Sequence, residues 1–420
     1  MITKIKEKRK EKRKKAEESV ATQYGDGYMT LVGMDLHSVN VTLCITRWRK
    51  GEDPHVVRTI STDLDGLVTS YAKNVGNDSL TVLEASTNAF AIVRRLGAAG
   101  YKATVLTSDA ISGMACPDRV NDKIDARNLA RAYSRGGTRE VLVPDATQTR
   151  LRDIWFGHRN AVKETTRWSN RLWSYCSMHD LKLPERSPTV KLDGIRKAIK
   201  DKAWEGIEAF HAERMLAEYV HARDTRALYE RKIQETVAEN LDMTRIMQVL
   251  GVRFIVAFGL MAFIGDVRRF ETSKKLVSYV GFNPSVNDSG TKEGKRKISH
   301  FGRRDLRSLM VEAAQSALNK GKAPMHTWAR RKRASGKEPN KVVCALARKM
   351  VCHVWHILMG HPVPWTEPEA SFINKARKLS GCLGKEKRLA LGYKTSAAFV
   401  EELCARLRPE VSDKEPFSRE

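Results

Sequence analysis

The sequence predicts an α/β domain with a mixed sheet, followed by mostly helical units. Three observations predict it. Residues 28–133 alternate short apolar strands with helical spacing, residues 147–249 keep a helical period over long stretches, and residues 250–360 carry further apolar helices broken by one polar loop. At 420 residues the chain has room for two or three domains, and with 41% of its residues hydrophobic it can bury a core in each.

The elements follow in order. Residues 1–27 form a basic charged leader in which KEKRKEKRKKAEE mixes both signs, read as a solvated, partly helical arm or an accessory phosphate-binding arm. Nine Lys or Arg in its first 18 residues and no apolar core argue against a secretory signal. Over 28–146, YMTLVGMDLHS reads as a strand, and VNVTLCITRWRKG and HVVRTIS as two more joined by the KGEDP turn. Asp63 to Asn74 has helical spacing, SLTVLEAS is a buried strand, Ala89 to Ala99 is helical, KATVLTS is a strand, and Asp122 to Tyr133 is a helix. Residues 147–249 form a helical linker, with a break at LPERSPT (183–189). Its periodic stretch 206–240 fits either a spacer or an oligomerising coiled coil. Residues 250–365 form a third unit, with helices near 255–264, 272–280, 303–319 and 340–359, and residues 366–420 form a mostly helical tail.

Charge narrows the partners. The net charge is +26, and an excess that large attracts polyanions: nucleic acid first, an anionic membrane surface a distant second. Within 292–349 there are 17 Lys or Arg against four acids, so half of the excess sits in 58 residues, making that segment the leading nucleic-acid contact. The apolar run Phe254 to Gly265 is about half of the ~20 residues a spanning helix needs. Seven cysteines without a CxxC pair argue against a disulfide framework or a zinc ribbon. The expectation is a cytoplasmic, nucleoid-associated prokaryotic protein with no membrane role.

Four acids of the first domain could assemble a metal site. Asp35 ends the first strand and Glu84 ends a second buried strand, while Asp122 and Asp125 stand three apart on one helix face. An acid at the end of a core strand costs several kcal/mol of desolvation unless it is paired or bound to a cation. Carboxylate oxygens suit Mg²⁺ or Mn²⁺, and phosphoryl transfer is where such ions clamp attacking and leaving oxygens. Each acid also has a bland role open to it: a turn cap for Asp35, an Arg partner for Glu84, a favourable helix N-terminus for Asp122 and Asp125.

The loop GFNPSVNDSGTKEGKRKISHFGRR sets Ser285, Ser289 and Ser299 among Lys292, Lys295, Arg296, Lys297, Arg303 and Arg304. Those cations would hold backbone phosphates without reading sequence. A serine hydroxyl becomes a nucleophile only with help from a base, a metal or a neighbouring cation. Composition does not choose among the three serines, and a turn serine in a binding loop is the plainer reading.

Two motif blocks, in order, resemble a known family. Asp35 in GMDLHS, Glu84 in LEAS, and Asp122 with Asp125 in NDKIDARNLA are similar to the DEDD signature of the one-hundred-and-ten insertion-sequence family of transposases, which includes the Piv-type DNA invertases. LGVRFIVAFGLMAFIGDVRRFETSKKLVSYVGFNPSVNDSG, KRKISHFGRRDLRSLMVEAA and ARKMVCHVWHIL resemble its second half, so the likeness runs from about Met29 to Trp365. It implies a RuvC-like RNase H-fold domain, a helical linker and a transposase domain whose catalytic serine directly precedes a glycine, here Ser289. It further implies recombination of double-stranded donor and target DNA through a covalent phosphoserine, guidance by a structured noncoding bridge RNA, and a multimer that shares its active sites. Where the family often has a Pro-Gly-Ile-Gly-Pro-like turn, this chain reads Leu250, Gly251, Val252, Arg253, Phe254, with Arg253 at the second glycine's place. The competing functions are an unguided invertase, a junction nuclease that activates water with the same acids, and a non-catalytic RNA- or DNA-binding protein.

Overall fold

The computed structural model describes residues 28–76, 78–107, 121–136, 138–184, 192–202, 204–284, 298–299 and 301–407. The leader 1–27, most of the LPERSPT break and the end of the tail lie outside the described residues. The chain divides into two compact units, Met1–Asp145 and Ala146–Glu420.

The first unit is a six-stranded mixed sheet with helices on both faces. Its strands are β1 (Met29–Leu36), β2 (Asn40–Trp48), β3 (His55–Asp63), β4 (Ser79–Glu84), β5 (Lys102–Leu106) and β6 (Glu140–Val141), in the order β3-β2-β1-β4-β5-β6. The first three strands run antiparallel; β4 is parallel to β1 and β5 parallel to β4, while β6 is antiparallel. Parallel neighbours need crossovers, which α1 (Leu67–Asn74) and α2 (Ala89–Ala98) supply.

Side chains alternate faces along a strand. Val32 and Met34 of β1 and Leu83 of β4 join a core with Leu67 and Tyr71 of α1 and Leu96 of α2. Leu31 and Val82 join a second core on the opposite face, with Leu129 and Ala130 of α3 (Asp122–Ser134). Gly33, on that second face, lets α3 lie directly on β1: a Cβ there would stand 1.8 Å from the carbonyl oxygen of Ala126. A strand glycine of this kind marks a close backbone approach.

Among the described residues the named elements of the second unit are helices, with one isolated β-bridge besides. α4 (Ala146–Met178) and α6 (Gly206–Glu239) run about 50 Å each, at 1.5 Å per residue. They pack along each other within one chain. The Thr165 hydroxyl bonds Ala161 O at 2.8 Å on α4 and Ala222 O at 3.1 Å on α6. Further along, Glu230 of α6 lies 3.6 Å from Nε2 of the buried His158 on α4, held by Arg226 at 2.7 Å. At the far end Leu172, Cys176, Ala212 and Tyr219 close a small core with Ile195 and Ile199 of α5 (Leu192–Asp201).

The main core gathers around α8 (Phe254–Ile264), which follows the short α7 (Leu241–Ile246). α8 is apolar on every side, and such a helix needs burial all round. Trp155 of α4 and Leu309 of α10 (Arg304–Leu318) stand against it at Gly259, and Met310 of α10 with Leu346 and Met350 of α12 (Pro339–Leu358) belong to the same core. α9 (Ser273–Val280) and α11 (Pro324–Ala334) complete this layer. The stretch expected as an appended tail belongs to the same core: Phe372, Ala376 and Leu379 of α13 (Glu369–Ala390) and Phe399 and Leu403 of α14 (Ser396–Leu407) are buried in it. α13 also carries Lys375, whose ammonium reaches Glu367 at 2.9 Å, Val252 O at 3.0 Å and Met247 O at 3.3 Å. Among the described residues no helix is long and apolar enough to cross a membrane.

Candidate metal centre and serine-loop base

Strand alternation positions the first two acids. Asp35 follows Leu31 and Gly33 on the α3 face of β1, and Glu84 follows Val82 on the same face of β4. The parallel register pairs Met34 with Leu83, so each acid stands one residue beyond that rung, on neighbouring strands. The third and fourth acids come from the start of α3. Asn121 caps it by accepting a hydrogen bond from Lys123 N at 2.9 Å, which puts Asp122 and Asp125 in the first turn. Gly33 then lets the next turn of α3, at Ala126 and Ala130, lie against β1.

Among the described residues Asp35 and Asp122, with His37, bring ligand atoms within 4.8 Å of one another, whereas Glu84 and Asp125 stand outside that group and act on it through their charge. Burial raises the Asp35 carboxyl above its ordinary pKa, with the charges of Asp125 and Asp122 adding to the rise and His37 opposing it. Burial also raises Glu84, reinforced by the charges of Asp35 and Asp125. Among the described residues, no Lys or Arg forms an ion pair with any of the four. The Arg partner that would make Glu84 a structural acid is therefore missing from this set.

A residue absent from the sequence-based candidates sits in the cluster. His37 Nε2 is 3.1 Å from Asp35 Oδ2 and 3.3 Å from Asp122 Oδ1, and one ligand atom from each of the three lies within 4.8 Å of the others. The signal was present in the sequence: Asp35 and His37 are two apart at a strand end, which aims both to one face. The site is open, with side-chain exposures of 21% for Asp35, 48% for His37 and 59% for Asp122. A bulky polyanion can reach it. Carboxylates and an imidazole together are a competent donor set for a divalent ion.

In the second unit, Ser289, Ser285, Lys292, Lys295, Arg296 and Lys297 lie outside the described residues. The two ends of their segment are drawn together: Pro284 bridges Ile298, and Ser299 N donates to Asn283 O at 2.9 Å. Arg307 of α10 secures both sides, donating to Gly281 O at 3.1 Å and Ser299 O at 3.3 Å. Gly302 makes this closure possible, since a Cβ there would stand 2.5 Å from the Cα of Gly281. Arg303 and Arg304 part company. Arg303 lies over the Phe263 ring at 3.7 Å and pairs with Asp305 at 2.9 Å, so it holds the fold, while Arg304 at the start of α10 is exposed. Arg253 lines a cavity of about 660 Å³ with Arg377 and Lys378, a second cationic surface of this unit.

Comparison with known proteins bears on the same unit. Residues 243–329 match the family model described as Transposase IS116/IS110/IS902 family. The chain is 28% identical over 132 residues to the transposase for insertion sequence element IS1111A of Coxiella burnetii, covering 31% of this chain and 36% of that protein. It is 24% identical over 286 residues to a Pseudomonas aeruginosa protein named "Probable family 20 transposase", covering 66% and 83%. A third relative, an IS110 insertion-element protein of Streptomyces coelicolor, is 31% identical over 112 residues, 27% of each chain. The chain thus spans about a third of the first relative's length and most of the second's. Family model and relatives agree: this chain is similar to insertion-sequence transposases, and residues 243–329 match the family model described as Transposase IS116/IS110/IS902 family.

Proposed function

We propose that the protein is an insertion-sequence recombinase that cuts and rejoins donor and target DNA. Asp35, Glu84, Asp122 and Asp125 hold one or two Mg²⁺ or Mn²⁺ ions, and Ser289 is the nucleophile. One observation carries the metal reading: Asp35, Asp122 and His37 bring ligand atoms within 4.8 Å of one another, and none of the four acids has a Lys or Arg partner among the described residues, in a chain whose other unit matches a transposase family model. The strand order, with three antiparallel strands leading and two parallel strands following beside β1, supports a RuvC-like RNase H fold for the first unit.

The chemistry is a pair of transesterifications. The Ser289 oxygen attacks the scissile phosphorus, the P–O bond to the leaving strand breaks, and the leaving oxygen takes the proton that serine gives up. A phosphoserine link retains the bond, so no ATP is needed. Attack by a strand hydroxyl from a second duplex reverses the step and frees the serine. Bound at the carboxylates, a divalent ion would orient the phosphate and offset charge in the transition state. Lys292, Lys295, Arg296, Lys297 and Arg304 hold backbone phosphates, and Arg307 keeps the ends of the serine segment together. A structured noncoding RNA pairs with donor and target, and a multimer brings the carboxylates of one copy to the serine of another. The protein works on the prokaryotic nucleoid.

The test is to express the protein with its native flanking DNA, sequence the RNA that copurifies, and assay covalent protein–DNA adducts on the junctions which that RNA names. One discrete flank-encoded RNA and adducts lost in Ser289→Ala are expected, together with loss of divalent-dependent rejoining in Asp125→Asn. Adducts formed by Ser289→Ala would remove the serine from its role. Full activity of Asp125→Asn would reduce the carboxylates to structural acids, and rejoining that survives nuclease removal of RNA would make the enzyme an unguided invertase.

A further inference from the structure

We infer that His37 is a direct metal ligand and that, with Asp35 and Asp122, it forms an ion position that prefers first-row transition metals to Mg²⁺. The inference rests on the metal reading above and adds a ligand and a selectivity to it.

Three arguments support it. The first is spacing. In an octahedral sphere with metal–ligand distances of about 2.2 Å, adjacent ligand atoms lie about 3.1 Å apart and opposite ones about 4.4 Å. His37 Nε2 stands 3.1 Å from Asp35 Oδ2 and 3.3 Å from Asp122 Oδ1, and the three ligand atoms fall within 4.8 Å of one another. The second is anchorage. His37 N donates to Asn40 O at 2.9 Å in the turn joining β1 to β2, so the imidazole comes from a fixed backbone. The third is ligand chemistry. Mg²⁺ keeps oxygen ligands and gives up water reluctantly, whereas imidazole nitrogen binds the first-row transition ions readily. Glu84 and Asp125 supply oxygen alone, so the His37 imidazole is the nitrogen donor that sets this group apart. The mixed nitrogen–oxygen set of His37, Asp35 and Asp122 is the one that discriminates among metals.

Mn²⁺ is the probe, since it is paramagnetic and stands at the weak end of the transition series, which makes it the stringent case. Chelator-stripped full-length protein is titrated with MnCl₂ by electron paramagnetic resonance, with MgCl₂ as competitor, for wild type, His37→Gln, His37→Asn and Asp35→Asn. The wild type is expected to bind Mn²⁺ at least about tenfold more tightly than Mg²⁺, and its bound Mn²⁺ to show electron spin-echo modulation from a coordinated ¹⁴N. Both His37 variants should lose the ¹⁴N signal and about tenfold in Mn²⁺ affinity, with Mg²⁺ affinity held within about threefold. A wild type without ¹⁴N coupling, or His37 variants that keep the Mn²⁺ preference, would overturn the inference while Asp35→Asn still abolishes binding. If Asp35→Asn also leaves Mn²⁺ binding intact, the metal reading of the whole cluster fails with it.

Discussion

Replacing Gly33 with alanine should loosen the first unit and disperse its acids in one step. The new Cβ would stand 1.8 Å from Ala126 O, 2.9 Å from Ala126 C and 3.0 Å from Ala130 N. All three are backbone atoms of α3, so no rotamer change relieves the contact. Carbon and oxygen settle at about 3.3 Å, so α3 has to retreat by roughly 1.5 Å at Ala126. Asp125 adjoins Ala126 and Asp122 lies one turn before it, so both acids move with the helix. A displacement of that size exceeds the few tenths of an ångström that a metal–oxygen bond of about 2.0–2.2 Å tolerates. Overpacking of this kind costs about 1–3 kcal/mol, or roughly 4–12 °C for a unit near 100 residues. Differential scanning calorimetry of the full chain reads the first loss, and Mn²⁺ titration reads the second as a fall of at least about tenfold. Gly97→Ala in α2 is the control, since a Cβ there has nothing within 4 Å, and it should be neutral or slightly stabilising. Gly33→Ala that melts with the wild type and binds Mn²⁺ as tightly would refute the claim that close seating of α3 builds the site.

Three further outcomes follow from the same geometry. Burial raises the Asp35 pKa, so ionised Asp35 destabilises the metal-free fold above that pKa, and the penalty fades as pH falls toward the ordinary value of 3.8. Asp35→Asn should therefore raise the melting temperature in EDTA at pH 7, with the gain gone below about pH 4; saturating Mn²⁺ should reverse the ranking, and a variant less stable than wild type in EDTA would contradict it. Lys375→Met should cost about 3–5 kcal/mol in urea unfolding because it leaves Glu367 buried and unpaired, and adding Glu367→Gln should recover much of that; a single variant as stable as wild type would show the pair to be idle. Arg307→Met should lower stability by about 1–2 kcal/mol and reduce adduct formation by more than that loss explains, since it frees Gly281 O and Ser299 O at the ends of the serine segment; unchanged adduct yield would separate Arg307 from the chemistry.

Local pattern carried much of the first unit. The period-two runs of β1 and β4 and the i,i+3 spacing of Asp122 and Asp125 are readable in the sequence, and they suffice to aim four acids at one region. What local pattern could not carry is the reason they meet. Gly33 reads as a weak point in a strand until α3 is laid across it, and that approach is a tertiary fact. β6, two residues long, holds no period. The sequence reading names no element over 324–334, PMHTWARRKRA, although Pro324 at the first turn is a helix start and the helix α11 buries His326 and Ala329. The period of 206–239 signalled a helix seeking a partner without naming it, and α4 answers from the same chain through Thr165 and His158. The final residues carried no motif, yet Phe372 and Leu379 complete the core around α8. An apolar helix with no polar face requires covering, but only packing says by what.

The chain handles charge in two opposite ways, and the contrast bears on the acids. In the second unit Glu367 is 1% exposed, and Lys375, itself 8% exposed, is placed on it at 2.9 Å while bonding two backbone carbonyls. Both charges are answered inside the fold, as a buried structural pair must be. In the first unit Asp35 and Glu84 are also drawn out of water, yet the group set against Asp35 and Asp122 is an imidazole and none of the four acids has a Lys or Arg partner among the described residues. Shortage of cations is no explanation, because the chain has 75 Lys and Arg against 49 Asp and Glu. Acids without a Lys or Arg partner among the described residues of so cationic a chain keep a standing penalty, and a bound cation would turn that penalty into affinity. The acids thus make sense as ligands in a way they do not as struts, and the thermal ranking of Asp35→Asn with and without Mn²⁺ measures that difference directly.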